Sequence, residues 1–238
     1  MADIKLRDRD RILLTDLVGR YRLATREVIH RKLFSAQSMD AVKSVLGRLT
    51  GGGERAYLTA RPLVGKEVYY QLTTFGCRQL GFPEEWAKPL GPQALITHFA
   101  VMAWCQAEDA KRQLFLRDEW GKEFPEMKNH FHPYVLIEHA GQALLTRLKV
   151  DMGGDGARLV QTCEEFIHQA SRREFLKDLV IQRLYAVAVL TSEETKAKRV
   201  RELLATAKLP VRIDVHVVPE LGKVVTRTAG DEVEADGN

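Results

Sequence analysis

Cysteine is scarce in this chain: three residues in 238, at positions 77, 105 and 163, odd in number and far apart. That spacing excludes a disulfide framework and a cysteine-based zinc site, and it fits a reducing compartment. Long apolar runs are also missing. The longest, Ala94 to Cys105, is interrupted by His98 and is too short to span a bilayer. Met1 to Lys5 lacks the basic and apolar regions of a secretion signal. A cytoplasmic protein with no membrane segment is therefore expected. The Gly-rich stretch Met152-Gly153-Gly154-Asp155-Gly156 lacks the Lys-Ser/Thr of a phosphate loop and reads as a tight turn. Internal repeats are absent, and no cofactor is expected.

What is present describes a folded globular chain, with 45% hydrophobic and 29% charged residues. Its length suits one large domain or two ordinary ones. The net charge of +4 is modest, but it is unevenly placed. Residues 1–82 carry 15 Lys/Arg against 8 Asp/Glu, whereas the remainder carries 21 against 24. A basic first third points to a nucleic-acid-binding module joined to another domain. Two solvated surfaces of different sign would show the same imbalance.

In that basic third, Leu14, Leu17, Val18 and Tyr21 fall at i, i+3, i+4 and i+7, which predicts a helix from Arg7 to Arg22. Thr25 suits the N-cap of a second helix with Val28, Ile29 and Leu33 inward. A third helix, Ser38 to Leu49, carries Val42, Val45, Leu46 and Leu49, and Gly51-Gly52-Gly53 stops it. Two β-rich runs, Ala56 to Thr59 and Glu67 to Leu72, flank a Pro- and Gly-containing turn. Three helices and a basic hairpin make a winged helix-turn-helix, a surface suited to duplex DNA.

If the third helix reads DNA, Gln37 and Arg48 are the side chains able to pair with base edges, while Ser38, Lys43 and Ser44 face outward beside them. Arg26, Arg61 and Lys66 would neutralise phosphates. Asp40 departs from the pattern, being of the wrong sign unless it reads cytosine or caps the helix. Winged helices also serve as protein–protein modules, so an interaction adaptor stays open.

Residues 83–92 are rich in Pro and Gly and read as a linker, which sets the domains at 1–82 and 93–221, with an acidic tail of 222–238 expected to be disordered. The second region shows a helix (Gln93 to Lys111), three strands (Gln113 to Arg117, Phe131 to Ile137, Ala143 to Val150), a long helix (Gly156 to Lys177), a buried strand (Leu184 to Leu190), a helix to Ala207 and a last strand (Val211 to Val218). The expected fold is mixed α/β, a winged helix followed by an α-β-β-β-α-β sandwich with at least one right-handed crossover.

That order is also the order of restriction-endonuclease-like nucleases, whose site needs a Pro-Asp pair on one strand and an acidic-x-Lys triplet on the next to hold Mg²⁺. The corresponding positions are Pro133, with Tyr134 in place of the acid, and Lys149 with Asp151, the charges reversed. Glu108, Asp118, Glu119 and Glu138 are further carboxylates considered for completing such a site, and His130, His132 and His139 invite a metal reading, but no Cys or second acidic ligand has matching spacing.

Together the segments Tyr69-Tyr70-Gln71-Leu72-Thr73-Thr74-Phe75-Gly76, His132-Pro133-Tyr134-Val135-Leu136 and Leu148-Lys149-Val150-Asp151 give the chain a resemblance to the plasmid replication–relaxation family. Only Pro133 and Asp151 match that family's acidic motifs. The resemblance implies an accessory DNA-binding protein of a plasmid or integrative element that acts in replication, transfer or regulation; it does not imply cleavage. A Mg²⁺-dependent endonuclease of the same fold is the enzymatic alternative. A large α/β domain without catalysis suits dimerisation or docking, so a homodimer on two half-sites of double-stranded DNA is expected.

Overall fold

The computed structural model of the chain describes residues 5–107, 111–116, 133–139 and 141–225, together with the single residues 119, 122, 124 and 125. It is mixed α/β and divides into two compact units, the first running to Gln106 and the second spanning Ala107–Thr226. Among the described residues no helix is long and apolar enough to cross a membrane.

In the first unit, α1 (Asp8–Ile12) runs on into a π-helical stretch, Leu13–Gly19. The expected stripe is buried there, with Leu14, Leu17, Val18 and Tyr21 all in the core. Strand β1 (Ala24–Thr25) follows, then α2 (Arg26–Leu33), α3 (Met39–Thr50), β2 (Leu58–Pro62), β3 (Val68–Leu72) and α4 (Thr74–Leu80). Thr25 caps α2 by accepting from the Val28 amide, and Thr73 caps α4 by accepting from Gly76. Only glycine fits at position 76, because a Cβ there would lie 2.4 Å from the Tyr57 carbonyl oxygen. The strands pair antiparallel in the order β1-β3-β2, with Ala24 opposite Tyr70 and Ala60 also opposite Tyr70.

The stretch 83–92, expected to be a linker, belongs to this unit, and so does the helix after it, α5 (Pro92–Cys105). The buried Gln71 on β3 donates to the carbonyls of Trp86 (2.6 Å) and Lys88 (2.8 Å), and Arg61 on β2 donates to Ala87 (3.2 Å). Phe82 stacks on Trp86, with the Arg22 guanidinium 5.5 Å from the indole centroid. Proline and glycine here shape a pinned turn. The α5 helix is apolar on all sides, and its end is tied down where Gln106 donates to the Tyr21 hydroxyl and accepts from Arg31.

His98 on α5 has its pKa pushed down to about 4 by burial first and by the Arg22 charge second. The unfolded chain takes up this proton near the ordinary value of 6.5, the folded chain only near 4. Its contribution to stability is therefore complete above pH 6.5 and is lost as pH falls towards 4, by on the order of 2 kcal/mol after discounting for partial exposure. His98→Gln is expected to flatten the acid limb of a plot of Tm against pH. An unchanged limb would assign it to other groups.

The second unit is a five-stranded sheet in the order β4-β5-β6-β7-β8: β4 (Arg112–Leu114), β5 (Tyr134–His139), β6 (Gln142–Val150), β7 (Tyr185–Thr191) and β8 (Arg212–Val217). The first three strands pair antiparallel and the last three parallel. Helices α6 (Gly156–Ser171) and α7 (Glu174–Ile181) lead from β6 to β7, and α8 (Glu194–Ala207) leads from β7 to β8. Every residue of β7 is buried, as a central parallel strand covered on both faces requires.

The single long helix expected to Lys177 is two helices. Leu159, Cys163, Ile167 and Ala170 keep one buried stripe, but a continuing helix would turn Glu174 and Lys177 to the core. The break at Arg172-Arg173 turns Leu176 inward instead. The acidic tail was expected to start at Gly222. Residues 221–225 are helical, with Leu221 and Val224 buried, and residues 226–238 lie outside the described residues.

Candidate nucleic-acid interface

The residues expected to meet DNA fall into two sets. Lys43 and Ser44 are exposed on α3, Ser38 is its exposed N-cap residue, Gln37 sits in the turn just before it, and Lys66 is exposed in the β2–β3 turn. Lys43 Nζ lies 2.7 Å from Asp40 Oδ1, and the lysine holds the Asp40 carboxyl below the usual carboxylate range. Both groups are well exposed, so the pair is weak and can be exchanged for a phosphate.

Arg48 and Arg61 are bonded within the unit rather than turned outward as expected, whereas Arg26 stays partly exposed. Arg48 Nη2 donates to both oxygens of Asp10, at 2.7 and 2.8 Å. The Asp10 side chain is 2% exposed and that of Arg48 is 32% exposed, so this guanidinium neutralises a buried carboxylate. Arg61 is spent on Gln71 and Ala87, inside the pinned turn. Arg26 Nη2 reaches the Tyr70 hydroxyl at 3.5 Å, a contact that ties α2 to β3.

Sequence reasoning missed Arg7, the N-cap residue of α1, and Arg9 in its first turn. They line a cleft of about 430 Å³ with Phe34, Ala41 and Ser44, which places positive charge beside the start of α3. The available signal was the alternation Arg7-Asp8-Arg9-Asp10-Arg11, in which one acid is buried and the arginines at 7, 9 and 11 stay exposed.

In the second unit, of the four positions compared with a nuclease site, Asp151 alone lines a sizeable cavity. This space of about 580 Å³ lies at the carboxyl ends of β6 and β7 beside Gly153, Ser192, Lys196 and Arg199. Tyr134 is fully buried in the core beside Arg147 and Tyr185, with burial pushing its phenol pKa up. Pro133 precedes β5, and its carbonyl accepts from Leu148. Lys149 is half-buried on β6.

Asp151 is 3% exposed and fully engaged. Lys196 Nζ lies 2.6 Å from Oδ2 and 2.8 Å from Oδ1, Thr191 donates to Oδ2 at 3.1 Å, and the Gly153 amide donates to Oδ1 at 2.9 Å. One carboxylate already neutralised by an ammonium does not fit Mg²⁺, which needs anionic oxygens it can share with its substrate. Lys196 was also missed. Its signal was a cation in the first turn of a helix, against the helix dipole, which a buried acid explains.

Among the other carboxylates considered, Glu138 pairs with Lys111 at 3.4 Å and Glu119 accepts from the Leu116 amide. Glu108, Asp118, His130 and His132 lie outside the described residues, as does the side chain of His139. Among the described residues no group of three or more His, Cys, Asp or Glu side chains is placed to hold a metal ion. No protein-family model, curated protein or solved structure matches this chain.

Proposed function

We propose that this chain is a sequence-specific double-stranded DNA-binding protein of a mobile genetic element, acting as a transcriptional regulator or as a replication or transfer accessory factor. The observation that carries the reading is the arrangement of the first unit. Three helical elements are followed by a hairpin, with the short β1 completing a β1-β3-β2 sheet. This is the element order of a winged helix-turn-helix, in which α3 would enter the major groove and the hairpin tip would meet phosphates. Gln37, Ser38, Lys43 and Ser44 then supply the groove face and Lys66 the wing contact. The mobile-element setting rests on the resemblance described above. Binding as a homodimer to paired half-sites belongs to the same reading.

The strand order of the second unit supports a nuclease-like sandwich. The neutralised state of Asp151 favours a docking or dimerisation role over cleavage. The test is fluorescence anisotropy of the full chain on duplex DNA over a range of salt. Affinity is expected to fall steeply with salt. Lys43→Ala and Lys66→Ala should each weaken binding to all sequences alike and reduce the log–log salt slope by about 1. If the wild type binds no duplex at low salt, the reading is wrong.

A further inference from the structure

We infer that Arg9 is a positioning residue that holds Gln37 as a hydrogen-bond donor and thereby makes the α3 surface select guanine at one base pair, an inference that rests on the DNA-binding reading above. Gln37 is exposed, yet it is held at three points. Its amide donates to the Phe34 carbonyl at 2.8 Å, its carbonyl is bonded by His30 Nε2 at 2.8 Å, and its side-chain Oε1 accepts from Arg9 Nη1 at 3.0 Å. Arg9 is held in turn, its guanidinium 4.8 Å from the Phe34 ring centroid. The helix carrying it is anchored one residue on, where Asp10 accepts from the Arg7 amide and from Arg48. The cleft lined by Arg7, Phe34, Ala41 and Ser44 opens beside this pair.

A free carboxamide matches adenine, because its oxygen accepts from N6 while its nitrogen donates to N7. With Oε1 committed to a guanidinium, the Nε2 group remains to donate. Guanine presents two acceptors, N7 and O6, in the major groove, whereas the N6 donor of adenine would have to share Oε1 with a guanidinium that already takes one of its two lone pairs and repels a second donor from that side. The positive charge of Arg9 beside the amide favours the same base. Arg9 thus sets which base Gln37 reads without itself touching the base.

The test is selection of bound sites from randomised duplexes by the full chain, comparing wild type with Gln37→Ala, Arg9→Ala and Arg9→Met, the last keeping an apolar side chain over Phe34. Wild type is expected to enrich guanine at one position and Gln37→Ala to lose that preference. Both Arg9 variants should shift it towards adenine by on the order of tenfold in relative affinity. Their melting temperatures should match wild type, since Arg9 is exposed. An Arg9 variant that weakens all sequences equally and keeps guanine would reduce Arg9 to a phosphate contact and overturn the inference. A wild type that binds duplexes without base preference would also overturn it, leaving DNA contact intact. A wild type that binds no duplex would remove both.

Discussion

Replacing Lys196 by alanine is expected to destabilise the α/β unit by about 3–5 kcal/mol, because Asp151 would keep its buried charge with only a hydroxyl and one amide to solvate it. Chemical denaturation of the full chain reads this as a lower midpoint for the unit. The double variant Lys196→Met with Asp151→Leu is expected to recover most of the loss. Removing both charges also removes the desolvation cost that their attraction had to offset. If the single variant unfolds at the wild-type midpoint, the ion pair is not what orders this end of the sheet. The same geometry decides how cleavage should be examined. Asp151→Ala would abolish any activity by unfolding the site, so Asp151→Asn, checked for an unchanged melt, is the informative comparison in a plasmid-nicking assay.

Arg48→Ala is expected to cost about 3 kcal/mol, seen as a fall in Tm of roughly 10 °C, because it strands the Asp10 carboxylate in the first unit. A residue that read a base edge would behave differently, losing affinity at one base pair with no change in melting. Lys43→Ala is the internal comparison: its weak, exposed pair with Asp40 predicts an unaltered Tm. Equal melting of Arg48→Ala and wild type would return Arg48 to the groove-facing set.

The elements of the first unit were legible in sequence because α2 and α3 bury one stripe each, and Val28, Ile29, Val42, Leu46 and Leu49 announce it at helical spacing. The two-residue β1 was not, since its place is set by pairing with Tyr69 and Tyr70 rather than by any local pattern. In the second unit the β7 run was read almost to its ends, from its unbroken apolar composition. The site was less legible. Which face of α3 is solvated follows from periodicity, so Lys43 and Ser44 were found. Whether a given basic side chain faces solvent depends on a partner far away in sequence, as with Arg48 and Asp10 or Lys196 and Asp151. Local spacing does not encode such pairs. Proline and glycine at 83–92 misled for the same reason, because the side chains that fix that stretch come from β2 and β3.

The pinning of residues 83–92 bears on how this module is inherited. Recombination that cut at the Pro- and Gly-rich stretch would separate Gln71, Arg61, Tyr21 and Arg31 from their partners on Ala87, Trp86, Lys88 and Gln106. A gene fragment exchanged there would arrive with orphaned polar groups inside its core. The natural seam for shuffling the module between genes lies after Gln106, so α5 must travel with the helices that precede it.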